Sequence, residues 1–325
     1  MKPQLSLERI NQLAADPGQC ADMATPGMVD ASRPFVPEEH TQLFYTPVYA
    51  TLSHEQRLHY NQLFGLRLNE YIMMLEAELV ERLLAPLRRH PRVRNDGAML
   101  AALTTMVDEE RRHYAGFAAF NRGFRPDLYP AGSDRFFSRL PAWTQAMFSI
   151  VGWLAKRYAF ALWYMMAMEE SAKSLARDMV RQPQTRTLGP LDPAFLALHH
   201  QHMKDETRHV HIDALLIERC MDARSGALNA RLFTAMLEGV VRPTPGGSGV
   251  KVIRQLVADR PELAPRQAEL VTAVLSLRNN QRFQESLFNR RIMPRTFEIF
   301  DATPALANLG KKMVGYDRRA PARAT

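Results

Sequence analysis

The sequence predicts an all-α protein: a four-helix bundle with additional helices before and after it. Three observations predict this. The chain is rich in Ala, Leu, Met, Arg and Glu, which favour helices, and glycine is sparse at 16 of 325 residues. No stretch alternates apolar and polar residues over a strand's length, and nothing repeats at a solenoid period. Long segments instead place apolar residues three and four apart, between breaks that carry proline and glycine.

Residues 1–50 hold several prolines ("ATPGM", "SRPFVPEEH", "YTPVYA") and little periodicity. They read as an irregular lead-in with one short helix. Ser53 is a plausible N-cap for the first bundle helix, which runs to "LLAPLRRHP", where Pro91 stops it. A second helix spans Gly97 to Phe124 and is closed by "RPDLYPAGS". A third spans Pro141 to Arg181, with a potential break at Gly152, and is closed by "QPQTRTLGPLDP". The fourth opens at Asp192-Pro193, an N-cap followed by proline at the first helical position, and runs to about Ala223. "RLFTAMLEGVV" reads as helix, "RPTPGGSG" as loop, and the remainder as helices separated by prolines. The expected organisation is one all-α domain over 1–325. Its bundle core spans 55–223, further helices 224–315, and a disordered basic tail 316–325.

Composition excludes several functions. Net charge is +8, spread along the chain without a basic stripe, so nucleic-acid binding is not expected. An acidic protein partner is compatible with that charge. Cys20 and Cys220 have no paired spacing, so neither a disulfide framework nor a thiolate metal site follows, and a reducing cytoplasm is the expectation. "MKPQLSLERINQLAADPG" lacks a hydrophobic signal core. The most apolar stretch, "MFSIVGWLAKRYAFALWYMMAM", is interrupted by Lys156 and Arg157, which argues for a buried helix over a membrane span.

The chemistry lies in carboxylates and imidazoles on apolar helix faces. Each residue advances a helix by about 100°. In "HQHMKDETRHVH" (200–211), His202 and His209 lie about 40° and 60° to one side of Glu206, on the face of Phe195, Leu198, His199, Val210 and Ile217. His200 and His211 fall on the flank. In the second helix, Glu110-x-x-His113 is centred on Met99, Leu103, Met106, Val107 and Phe117. Glu109 falls toward the edge, and Asp108, Arg111 and Arg112 point out. In the first helix, Glu76 sits among Leu68, Asn69, Ile72, Met73 and Leu83, while Glu70, Glu78 and Glu81 point to the other side with Arg67 and Arg88. In "MMAMEESAKSLARDMV", Glu169 shares a face with Val151, Tyr158, Leu162, Met165, Ala176 and Val180. Glu170 lies with Ser174, Arg177 and Arg181, so Glu169 is preferred over its neighbour.

A single buried Glu costs several kcal/mol unless paired or metal-bound. Any one of these residues is more simply a satisfied core histidine or a surface acid. Four helices that each bury a carboxylate, two of them adding E-x-x-H, fit the ligand set of a carboxylate-bridged dimetal centre in a four-helix bundle. Carboxylate and imidazole donors suit iron or manganese. His202 departs from that minimal plan as a third imidazole, which makes seven ligands: Glu76, Glu110, His113, Glu169, His202, Glu206 and His209. Asp213, one turn beyond His209, is a candidate to orient an imidazole from behind, with an ordinary solvated Asp as the alternative.

This order of residues resembles the non-haem diiron N-oxygenases typified by p-aminobenzoate N-oxygenase, in the ferritin-like superfamily. The resemblance rests on Glu76, "EERRH" with Glu110 and His113, Glu169 in "AMEES", and "HMKDETRH" with His202, Glu206 and His209, over about residues 55–215. It includes the additional histidine. It implies two iron ions (manganese being the alternative), dioxygen, an amine substrate and external electrons. Oxygen transfer to an aryl amine would give hydroxylamine and then a nitroso or nitro product. No dinucleotide-binding fingerprint is present, so a separate reductase or electron-transfer protein is expected. A homodimer is compatible with the sequence, and no catalytic residue is expected beyond the metal ligands. Acyl desaturation, hydrocarbon hydroxylation, radical generation and iron storage are the competing readings. The first three usually hold two histidines, so His202 separates them, and storage does not need seven ligands. Tyr114 and Tyr158 fall near the expected site and read as core packing.

Overall fold

The computed structural model describes residues 4–20, 23, 28–139, 150, 160–220, 226–287 and 289–302. It is all-helical, and among the described residues no strand forms beyond one isolated bridge between Gln184 and Pro190. Among the described residues no helix is long and apolar enough to cross a membrane.

Helix α1 (Leu7–Ala14) is capped by Ser6, whose hydroxyl accepts from the Arg9 amide. Helix α2 (His54–Leu75) opens on a capping box in which Ser53 and Gln56 satisfy each other's backbone donors. It continues without a break into a π-helical segment, Glu76–Leu84. Helix α3 (Gly97–Phe124) starts where Asp96 accepts from the Met99 amide at 3.0 Å. Helix α4 covers Phe160–Arg181. Helix α5 (Pro193–Cys220) begins at the expected N-cap, since Asp192 accepts from the Phe195 amide at 2.7 Å. The same carboxylate accepts from the Asp30 amide at 2.8 Å, which ties the lead-in to the bundle. Helices α6 (Gly226–Val241), α7 (Ser248–Asp259), α8 (Gln267–Ser276), α9 (Gln281–Leu287) and α10 (Pro294–Ala302) follow. The N-terminal part of the expected third helix, with Val151 and Tyr158, lies outside the described residues, as does the basic tail.

Helices α4 and α5 form the most extensive pairing, α3 packs on α2 and α5, and α4 also meets the π-helical segment. Helix α7 lies along α2, while α6 and α10 cover α4. Two apolar clusters result. One gathers Leu103, Met106, Leu162, Leu216, Phe233 and Phe297. The other gathers Leu63, Met73, Phe117, Met179, Leu198 and Ile253. Each bundle helix contributes to both, and its acidic or imidazole residues fall between the two. Glu76 lies between Met73 and Leu83, and Glu110 and His113 lie between Val107 and Phe117. The charged groups are therefore sealed at both ends by hydrocarbon.

The lead-in is irregular, as expected, but it is core. Phe35 is fully buried, stacks on Phe195 at 4.9 Å, and meets Phe120 edge-on at 5.4 Å. Asn61 on α2 holds it in place, accepting from the amides of Phe35 and Val36 and donating to the Val36 carbonyl. The prolines hid this because they break periodicity without making a segment polar.

Candidate metal centre

All seven expected donors converge between α2, α3, α4 and α5. Their atoms fall into two sets, Glu76 with His113 and His202, and Glu110 with Glu169, Glu206 and His209. Within each set the donor atoms lie within 4.8 Å of one another, and every residue is buried. The sets adjoin. Glu110 presents Oε2 3.5 Å from His113 Nδ1 and Oε1 2.9 Å from His209 Nδ1. Glu206 Oε1 lies 2.7 Å from His202 Nε2, 3.8 Å from His113 Nδ1 and 3.7 Å from His209 Nδ1. Glu110 and Glu206 thus face both sets, with Glu76 and Glu169 at opposite ends.

Residues of this kind approach so closely only if something neutralises them. Both oxygens of Glu76, Oε1 of Glu110, Oε2 of Glu169, Nδ1 of His113 and His209, and Nε2 of His202 are buried without an aligned hydrogen bond. Buried polar atoms are nearly always satisfied, and lone pairs aimed at shared points in space fit metal ions. Local electrostatics agree. Burial pushes Glu76 up to about 7. Burial and the charges of Glu206 and Glu110 push Glu169 well above the carboxylate range. Burial alone would lower His202, but Glu206 and Glu76 push it up to about 10. A cation replaces the protons that such a cluster otherwise shares.

Two of the three imidazoles are oriented from behind. His113 sets Nε2 against Asp205 at 2.9 Å, and His209 sets Nε2 against Glu109 at 2.8 Å, leaving both Nδ1 atoms facing inward. A carboxylate behind each ring fixes the tautomer that offers Nδ1 as a ligand. Arg208 joins the two carboxylates, donating to both Glu109 and Asp205 and also to the Gln19 carbonyl. Burial would raise Asp205, but the hydrogen bond and charge of His113 bring it down to about 2.

Three expectations are corrected here. Asp213 is fully buried, yet neither of its oxygens has a hydrogen-bond partner; Glu109 holds the ring it was expected to orient. Glu109 itself, read as an edge residue, is 1% exposed. Asp205 and Arg208 were missed. Their signal was present in "DETRH", where an acid and a base three apart flank the inward Glu on one side of the helix. Glu170, read as facing outward, is buried and accepts from the amides of Arg295 and Thr296 at the start of α10. Glu169 is the neighbour that enters the cluster. Glu70 points away from the cluster, as expected, but is buried and accepts from the Tyr129 hydroxyl and the amides of Phe136, Phe137 and Ser138. His199, on the apolar face, is a buried core histidine whose Nε2 pairs with Asn69 Oδ1 at 2.9 Å. His200 is exposed, and His211 accepts from the Leu5 amide. Tyr114 is half-buried.

A cavity of about 320 Å³ opens onto the cluster. Glu76, Glu110, Glu169, His202 and Glu206 form part of its wall. Tyr71, Ile72, Leu75, Met165 and Met168 supply an apolar lining, and Arg67 and the start of α7 stand at another part of the wall.

The helical bundle and its buried carboxylate–histidine sets define the class, a ferritin-like protein suited to a carboxylate-bridged metal pair. The p-aminobenzoate N-oxygenase AurF family matches residues 13–243, a span that contains all seven donors. The chain belongs to that family and is a non-haem diiron monooxygenase of the N-oxygenase kind. A search of curated proteins returned no match.

Proposed function

We propose that the protein oxidises an aryl amine with dioxygen, through hydroxylamine to a nitroso or nitro product. Glu76, His113 and His202 would hold one iron, and Glu110, Glu169, Glu206 and His209 the other, with Glu110 and Glu206 facing donors of both sets. The iron pair would supply dioxygen reduction and oxygen transfer to nitrogen. The chain itself supplies fixed donors, rings locked in one tautomer, and an apolar wall of Leu75, Met165 and Met168 that keeps water from the reacting amine. Electrons would come from a separate reductase or small redox protein.

The observation that carries this reading is the third imidazole. His202 faces the same space as Glu76 and Glu206, at 3.5 and 2.7 Å, and is buried. Desaturase-like centres usually have two histidines, and storage does not need seven ligands, so a third nitrogen donor on the cluster supports the N-oxygenase reading. The test is to load ferrous iron, count ions per chain, add reductant and dioxygen, and screen aryl amines for hydroxylamine and nitro products by mass spectrometry. Two irons and amine-dependent product are expected. An iron-loaded protein that oxidises no amine but desaturates or hydroxylates a hydrocarbon would overturn the reading. His202→Ala should lose iron and turnover together, and full retention of both would remove His202 from the ligand set.

A further inference from the structure

The cavity beside the cluster has a direction. Its lining recurs at helical spacing on two walls: Phe64, Leu68, Tyr71 and Leu75 on α2, and Met168, Ala172, Leu175 and Asp178 on α4. Glu76 meets the cluster at the C-terminal end of the first stripe, and Glu169 meets it near the N-terminal end of the second. The two stripes therefore leave the cluster on antiparallel helices and flank one space. Phe64 and Glu76 are twelve residues apart on a continuous helix, about 18 Å along its axis. Glu169 and Asp178 are nine apart, about 13 Å. The cavity is a slot laid lengthwise between α2 and α4. A single ring with its amine covers less than half of that length.

The walls are held at a fixed spacing. Tyr71 reaches from α2 to α4, its hydroxyl 2.9 Å from that of Tyr164 and 3.5 Å from Met168 Sδ. Leu68, Ala172 and Leu175 face the slot and are only half-buried. Val250, Phe283, Leu287 and Ile292 close it from the C-terminal helices. Those four lie beyond residue 243, where the match to the family ends, so part of the wall comes from outside the span that carries the metal donors. A volume of about 320 Å³ falls in the range that takes drug-sized molecules.

We propose that the substrate is an elongated, mostly apolar amine, two aromatic rings or an equivalent length of chain, lying between α2 and α4 with its amine at the cluster. Leu68, Ala172 and Leu175 contact the part furthest from the amine and set the preference for length. Half-buried apolar side chains on both walls lose water when a second ring covers them. Walls already spaced by Tyr71 bind such a molecule without first having to part. The placement of the amine rests on the N-oxygenase reading; the slot itself does not.

Two measurements test the slot separately from the chemistry. First, binding of benzyl alcohol and 4-biphenylmethanol, which carry no amine, is measured by calorimetry on iron-loaded wild type, Ala172→Trp and Leu68→Trp. Wild type should bind the longer alcohol about tenfold tighter or more, the gain from burying one further ring. An indole placed in the slot from either wall should remove that gain. Iron content and melting temperature establish that each variant is folded, and the two variants approach the slot from different helices, so a folding defect in one leaves the other as the test. A preference that persists in a folded variant, or is missing from wild type, overturns the slot. Second, aniline and 4-aminobiphenyl are compared in turnover. Wild type should show about tenfold higher kcat/KM or more for the longer amine, and Ala172→Trp should reverse the order. Oxidation of both amines with the same ratio in wild type and Ala172→Trp sinks the slot and spares the N-oxygenase reading. A length preference in binding with neither amine oxidised does the reverse.

Discussion

Glu169 and Glu170 leave α4 about 100° apart, and that turn assigns them different work. Glu169 stands 3.5 Å from His209 in the cluster, whereas Glu170 holds the first amides of α10. Glu169→Gln should lower iron content and abolish turnover. Glu170→Gln should keep iron and instead cost about 1–3 kcal/mol of stability, the range for weakening a charged hydrogen bond. Metal analysis and denaturant unfolding of both variants check this, and an exchange of phenotypes would reverse the assignment. Behind the rings, Asp205→Asn and Glu109→Gln leave every proposed ligand in place but remove the charge that fixes each imidazole. Each should weaken metal affinity about 10- to 100-fold, read by competition with a chelator. Unchanged affinity would reduce the Asp205–Arg208–Glu109 bridge to packing.

At the scale of elements, the π-helical segment begins at Glu76 itself. π-Helical insertions cluster at functional sites because they shift the register of side chains along a helix. Periodicity at 3.6 residues placed Glu76 inward correctly and could not see the change that begins there. The lead-in segment depends on close approach. A Cβ on Gly65 would lie 2.7 Å from Phe35 Cβ, so Gly65→Ala must displace a fully buried ring. The expected loss is about 1–3 kcal/mol, read from the denaturant midpoint; a neutral result would show that the lead-in can shift. Glu38 fastens the same segment to the loop after α4 by accepting from the Tyr49 hydroxyl and from the amide and hydroxyl of Thr187. Burial raises its carboxyl, but these bonds outweigh burial and hold it below its ordinary value of 4.5. A depressed folded value means that the stabilisation is complete above 4.5 and fades as pH falls through the folded value. Glu38→Gln should therefore lower stability at neutral pH and flatten the acid side of the stability profile. A variant as acid-sensitive as wild type would disprove the assignment.

For the whole molecule, the centre is expected to couple metal binding to folding. Carboxylates and imidazoles buried between two apolar clusters repel one another until a cation joins them. Ferrous or manganous ion should raise the melting temperature, and a chelator should reverse the change. One independent site adds about 2.7 kcal/mol when free ion exceeds Kd a hundredfold. No shift at saturating metal would contradict the proposed ligand set.

Much of the site was legible in sequence because the signal is local. About 100° per residue is enough to ask whether an acid lies on an apolar stripe, and that test placed Glu76, Glu110, His113, Glu169, His202, Glu206 and His209 inward without knowledge of any neighbour. The fold class and the helix starts capped by Ser53 and Asp192 rested on the same local rules of periodicity and capping. The flanks of the helices were not legible. Glu70, Glu109 and Glu170 read as peripheral and Asp205 drew no reading, yet all are buried. A flank is solvent or core according to what packs on it, and the loop before residue 139, α10 and the neighbouring bundle helix arrive from far away in the chain. Sequence alone thus determined which donors face the interior. Tertiary structure alone decided how they divide into two sets, which carboxylates stand behind the imidazoles, and which cation shares their cavity, because those are contacts between helices and no periodicity within one helix encodes them.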